Sequence, residues 1–222
     1  MMRPVWRRYV GALVLLPLLA GCGGGSGSSL GPVPGQVNFP NTGSLGPLVQ
    51  GKVLGSPFLF VKTPRVALTS LQSGTATTMA SAPVDGLAAF KIRLPGAPDP
   101  TAMVPASAAS LPAGYAAPEG TRVTVLQVDL IDDANGDNKE SEGEFVAQSL
   151  DWFALYSTAA ISGPAGQPSI AQGWSLVNQP KDTPAQVLQD FGQTSIDIDL
   201  RQLGPYKSTG RPRAARRLFW PR

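Results

Sequence analysis

The feature that most constrains the fold of this chain is a series of short runs in which apolar and polar side chains alternate. In residues 195–200, Ile196, Ile198 and Leu200 fall on one side, and Ser195, Asp197 and Asp199 fall on the other. Successive side chains of a strand point to opposite faces, so this pattern builds a half-buried strand and no helix. Residues 65–71, 77–82 and 88–94 read the same way; in the last, Phe90, Ile92 and Leu94 oppose Lys91 and Arg93. Further strands are expected at 48–54, 121–130, 144–156 and 173–178. Gly and Pro, 25 and 22 in 222 residues, punctuate the runs. Residues 95–120 read as a long surface crossing, and 184–191 as a helical turn or two. Short strands with turn signals between them predict one all-β domain over 48–204. Its expected form is an antiparallel β-sandwich of about seven or eight short strands.

Val84-Asp85-Gly86-Leu87-Ala88-Ala89-Phe90-Lys91-Ile92-Arg93-Leu94-Pro95 resembles the "D-G…F-x-I-x-L-P" hairpin of prealbumin-like, carboxypeptidase-regulatory-like domains. Val49-Gln50-Gly51-Lys52-Val53 is similar to their first strand. The resemblance covers residues 48–95 and implies a binding or spacer module. The long 95–120 insert departs from the compactness of those domains.

The chain opens with three arginines, Arg3, Arg7 and Arg8, and no acid, followed by an apolar run over 9–20 that Pro17 interrupts. That run is shorter than the ~20 residues needed to cross a bilayer and has the layout of an export signal. It ends in Leu19-Ala20-Gly21-Cys22, which resembles the lipobox of bacterial lipoproteins. The resemblance implies cleavage after residue 21 and diacylglycerol on Cys22. Cys22 is the only cysteine, so no internal disulfide forms. Gly23 in place of Asp favours the outer membrane in a double-membraned host. The Gly/Ser/Pro-rich stretch 22–47 reads as a flexible tether with a reach of roughly 25–30 Å.

Once the signal is removed, 15 basic residues balance 15 acids, but unevenly. No acid follows Asp199, whereas Lys207, Arg211, Arg213, Arg216, Arg217 and Arg222 all do. The body is acidic, and residues 205–222 form a basic tail expected to be disordered. The body therefore lacks the basic face of a nucleic-acid-binding domain. There is no histidine, which removes Ser-His-Asp and Cys-His catalysis and His-ligated metal sites.

One stretch carries distinct chemistry. Counted from Asp133, oxygen ligands fall at position one (Asp133), three (Asn135), five (Asp137), nine (Ser141) and twelve (Glu144). This spacing resembles the EF-hand calcium loop. Position seven, Lys139, would supply its backbone carbonyl. Position six is Asn138 in place of glycine, the next best residue for a left-handed backbone. Five carboxylates within twelve residues repel one another unless a cation lies among them; the alternative is a solvated acidic loop with Asx turns. Trp152, Phe153 and Tyr156 are expected in the core. The expectation is a non-enzymatic envelope lipoprotein, steadied by calcium. It would be held to a membrane through lipid on Cys22 and bind an envelope protein or polymer. One alternative is a glycan hydrolase using paired carboxylates, from Asp197 with Asp199 or Asp129 with Asp132. Another is a barrel that carries a small apolar ligand.

Overall fold

A computed structural model describes residues 33–38, 45–55, 61–72, 75–109, 111–180, 183–189 and 191–200. The export signal, Cys22, most of the tether and the basic tail lie outside the described residues. The chain divides into Met1–Leu30 and Gly31–Arg222, and the second unit holds every described element.

The fold is all-β. Its strands are β1 (Val37–Asn38), β2 (Leu45–Leu54), β3 (Pro64–Gln72), β4 (Thr75–Pro83), β5 (Ala89–Pro95), β6 (Val104–Pro105), β7 (Arg122–Asp132), β8 (Phe145–Ser157), β9 (Gly173–Asn178), β10 (Gln186–Leu188) and β11 (Ser195–Asp199). Each alternating run of the sequence lies within or against one of eight strands. The other three, β1, β6 and β10, are two or three residues long, too short to show a period. The helical turn expected over 184–191 is not formed. That stretch holds β10, and a single 3-10 turn follows at Phe191–Gln193.

The strands form two sheets. The larger runs β1-β4-β3-β7-β8-β9-β10, with β6 beside β7; the smaller runs β11-β2-β5. All pairings are antiparallel except β11 with β2, which is parallel and sets Ile196 beside Gly51 and Ile198 beside Val53. The turn at Asp85–Gly86 is present, but β4 and β5 belong to different sheets. It therefore hands the chain from one layer to the other and does not close a hairpin. Asp85 Oδ1 accepts from the N–H groups of Leu87 and Ala89 at 2.8 and 2.9 Å. These bonds steady Ala88, which sits at φ 59°, a backbone region uncommon for a non-glycine residue.

The two sheets face each other across one core. Val49 and Val53 of β2, Phe90, Ile92 and Leu94 of β5 and Ile196 and Ile198 of β11 pack against Val66, Leu68, Met79, Leu126, Val128, Leu130 and Leu176. Each fully buried Leu or Ile here contributes on the order of 1.5–3 kcal/mol. Gly51 is required at the centre of the smaller sheet. A Cβ there would lie 1.7 Å from the Ile196 carbonyl oxygen and 2.8 Å from Phe90 Cζ. The interior between the layers is filled with side chains and the sheets stay separate, as in a sandwich and unlike a barrel.

A second, smaller cluster lies on the outer face of the larger sheet. Val123, Phe153, Leu155 and Val177 are covered there by Ala106, Tyr115, Ile161 and Ile170. The 95–120 crossing is therefore structural: it seals one end of that face through two 3-10 turns, Pro100–Ala102 and Ala106–Ala108, and strand β6. The Tyr115 hydroxyl donates to the Pro168 carbonyl at 3.0 Å. Of the aromatic cluster on β8, Phe153 joins this outer core, while Trp152 and Tyr156 pack against the inner one. Tyr156 meets Trp174 edge-on at 5.2 Å, and the Trp174 indole N–H donates to the Pro95 carbonyl at 2.7 Å.

Candidate metal centre

The twelve residues 133–144 connect β7 to β8 and fold sideways over the outer face of β3 and β4. Their conformation follows from short polar side chains that bond to their own backbone. Asn135 Oδ1 accepts from the Asp137 N–H at 2.8 Å, and Asp137 Oδ1 accepts from the Lys139 N–H at 2.8 Å. Asp133 Oδ1 accepts from the Asn138 N–H at 3.1 Å. Gly136 and Asn138 both take positive φ, 72° and 63°. The sharp turn that position six demands is therefore made by an asparagine, a residue that tolerates the left-handed region.

This winding turns the carboxylates inward. Oxygens of Asp133, Asp137 and Glu144 all lie within 4.8 Å of one another. Asp133 and Glu144 are buried, and Asp137 is exposed. Glu144 closes the loop from its far end: its two oxygens accept from the N–H groups of Asn135 at 3.2 Å and Ser141 at 3.0 Å. The Ser141 hydroxyl donates to Asp137 Oδ2 at 3.1 Å and accepts from Asn135 Nδ2 at 3.3 Å. The Lys139 N–H above all holds the Asp137 carboxyl below the ordinary carboxylate value; desolvation, next in size, opposes it, and the Ser141 hydroxyl and Asn135 add to the lowering. All five ligand positions read from the sequence thus belong to one hydrogen-bonded constellation, and its three acids could hold a metal ion. The donors are oxygens throughout, the chemistry of a hard cation.

One participant lies far away in sequence. Arg65, on β3 and nearly buried, brings its Nε within 3.1 Å of Asp133 Oδ2. The same guanidinium donates to Asn138 Oδ1, to Ser81 Oγ at 3.2 Å and to the Gly35 carbonyl at 3.2 Å. Ser81 Oγ in turn donates to the Asn138 carbonyl at 2.6 Å, and Thr78 Oγ1 accepts from the Glu140 N–H at 2.9 Å. Nothing near the acidic run announces Arg65. In the alternation of β3 it is simply one polar residue on an outward face.

The remaining carboxylates are differently placed. Asp197 and Asp199 lie on the outer face of β11, opposite Ile196 and Ile198, with Asp197 exposed. Asp129 is buried on β7. Asp132 Oδ1 accepts from the Thr63 N–H and hydroxyl at 2.9 and 2.8 Å, which fixes the chain ahead of β3. An open depression of about 450 Å³ lies at the other end of the larger sheet, between Ala106, Leu111, Tyr115 and Pro118, with Glu119 and Arg122 at its rim. Among the described residues, no helix is long and apolar enough to cross a membrane. Comparison with protein families, curated proteins and solved structures returned no match.

Proposed function

We propose that this chain is an envelope lipoprotein, held to a bacterial membrane through lipid on Cys22. Its β-sandwich would be a non-enzymatic binding or structural module that takes calcium in the loop 133–144. The observation that carries the calcium reading is the convergence of Asp133, Asp137 and Glu144 within 4.8 Å on a loop whose sixth residue turns at φ 63°. Calcium takes six to eight oxygens. The three carboxylates, Asn135 Oδ1, the Lys139 carbonyl and the Ser141 hydroxyl make a set of that kind. The anchor reading rests on the lipobox-like Leu19-Ala20-Gly21-Cys22 and the lone cysteine. The paired carboxylates of a hydrolase gain no comparable support, since Asp197 and Asp199 face outward from a three-stranded sheet.

Calcium titration of the full chain, followed by melting temperature, tests the site. Binding to the folded state alone stabilises by RT ln(1 + [L]/Kd), about 2.7 kcal/mol at a hundredfold excess over Kd. At roughly 2–4 °C per kcal/mol for a domain of this size, Tm rises by about 5–11 °C. Asp137→Ala abolishes the rise. An equal rise in that variant, or none in the wild type at millimolar calcium, refutes the site. Mass spectrometry of the mature N-terminus tests the anchor: an unmodified Cys22 removes it.

A further inference from the structure

The four partners of Arg65 belong to three parts of the chain. Asp133 and Asn138 are in the acidic loop, Ser81 is in β4, and Gly35 precedes β1. Segment 33–38 lies at the edge of the larger sheet, and none of residues 33–37 is fully buried. β1 contributes two residues to the sheet, pairing Val37 with Ser81 and Asn38 with Ala80. Gln36 bonds the backbone of Arg93, its Nε2 to the carbonyl at 2.6 Å and its Oε1 to the N–H at 2.7 Å. A short, part-exposed edge segment belongs to the part of a fold that opens most readily.

We propose that Arg65 is a latch: it joins the acidic loop to segment 33–38, so that the two open and close as one unit. A guanidinium can serve this role because its fixed fork of donors bonds several acceptors at once, which an ammonium cannot do in the same geometry. When the Asp133 carboxylate is in place, the guanidinium is fixed where Gly35 and Ser81 meet it. When the carboxylate is lost, a nearly buried cation is left without its counter-charge, and the contact to Gly35 weakens with it. Calcium at the loop, on the calcium reading above, would favour the closed state of both.

Hydrogen–deuterium exchange on the full chain in detergent tests the latch, first with chelator present. Asp133→Asn and Arg65→Gln are expected to speed exchange of the amides of 36–38 about tenfold, the scale of one lost charge-assisted bond. Peptides from β7 and β8 should keep their protection. Asp197→Asn, on the exposed face of β11 in the other sheet, touches neither Arg65 nor the acidic loop and should leave 36–38 unchanged. If Asp133→Asn leaves 36–38 as in the wild type, or Asp197→Asn speeds it equally, the latch is wrong. Should Arg65→Gln also loosen β7 and β8, the two aspartate variants decide. The reciprocal perturbation is Gly35→Ala, where φ is +70° and a Cβ would lie 3.0 Å from Pro83 Cγ. It should speed exchange at 138–140. Calcium added to the wild type should then slow both 133–144 and 36–38. Slowing of the loop alone overturns the latch. No slowing of either overturns the calcium reading and leaves the latch to be judged by the variants.

Discussion

Asn138→Gly sets the calcium-loop pattern against the structure around it. On the pattern alone, glycine at position six improves the loop, because it takes a positive φ without strain. In the structure, Asn138 does more than turn the chain: its Oδ1 accepts from the Arg65 guanidinium. Relief of the left-handed backbone at φ 63° gains about 1 kcal/mol at most. The extra freedom of glycine in the unfolded chain removes roughly 0.5–1 kcal/mol of that. A hydrogen bond to a charged group contributes about 1.5–3 kcal/mol. This one is only partly buried, so the lower half of that range applies. The net expectation is a loss of about 1–2 kcal/mol, or roughly 2–8 °C in Tm for a domain of this size. Differential scanning calorimetry in the presence of chelator reads the effect without any contribution from metal. An unchanged or raised Tm would falsify the assignment of Asn138 as an Arg65 acceptor and leave backbone strain as the dominant effect at this position.

Gly51→Ala tests the smaller sheet. A Cβ at 1.7 Å from the Ile196 carbonyl oxygen is relieved only by moving β11 away from β2, so the loss should exceed the ~1–3 kcal/mol of ordinary overpacking; urea unfolding with a midpoint near wild type refutes the close approach. Acid unfolding tests the loop: the folded Asp137 carboxyl ionises below its ordinary value of 3.8 because of the Lys139 N–H bond. Its stabilisation is therefore present above about pH 4, the unfolded value, and is lost as pH falls through the lower, folded value. Asp137→Asn should flatten the stability–pH curve in that window alone, and a variant curve parallel to wild type from pH 5 to 2 would show that the bond contributes nothing.

Local and non-local information separate clearly in this chain. The run 173–178 is a strand in sequence and in structure with the same ends, because alternation is written in consecutive residues. The partner of a strand is not. Ile196 and Ile198 announce a buried face, but nothing in them says that β11 lies parallel to β2, some 145 residues earlier. The Asp85–Gly86 turn was legible as a turn, whereas its role as a crossing between sheets depends on where β3 and β2 recruit partners. Residues 95–120 look like filler, since Ala and Pro show no period, yet Ala106 and Tyr115 close an outer core. The acidic loop was legible residue by residue, because its bonds join neighbours two to nine apart. Arg65 was not, because its link to Asp133 spans 68 positions.

The parallel pairing of β11 with β2 also orders events in time. β2 is the middle strand of its sheet, and one of its two flanks is supplied by the last strand of the described fold. A chain emerging from its N-terminus therefore holds Val49 and Val53 beside an empty edge until residue 199 has appeared. Contacts of such long sequence separation close slowly. However early the larger sheet pairs, the smaller layer that closes the core is complete only once the last described strand has been made.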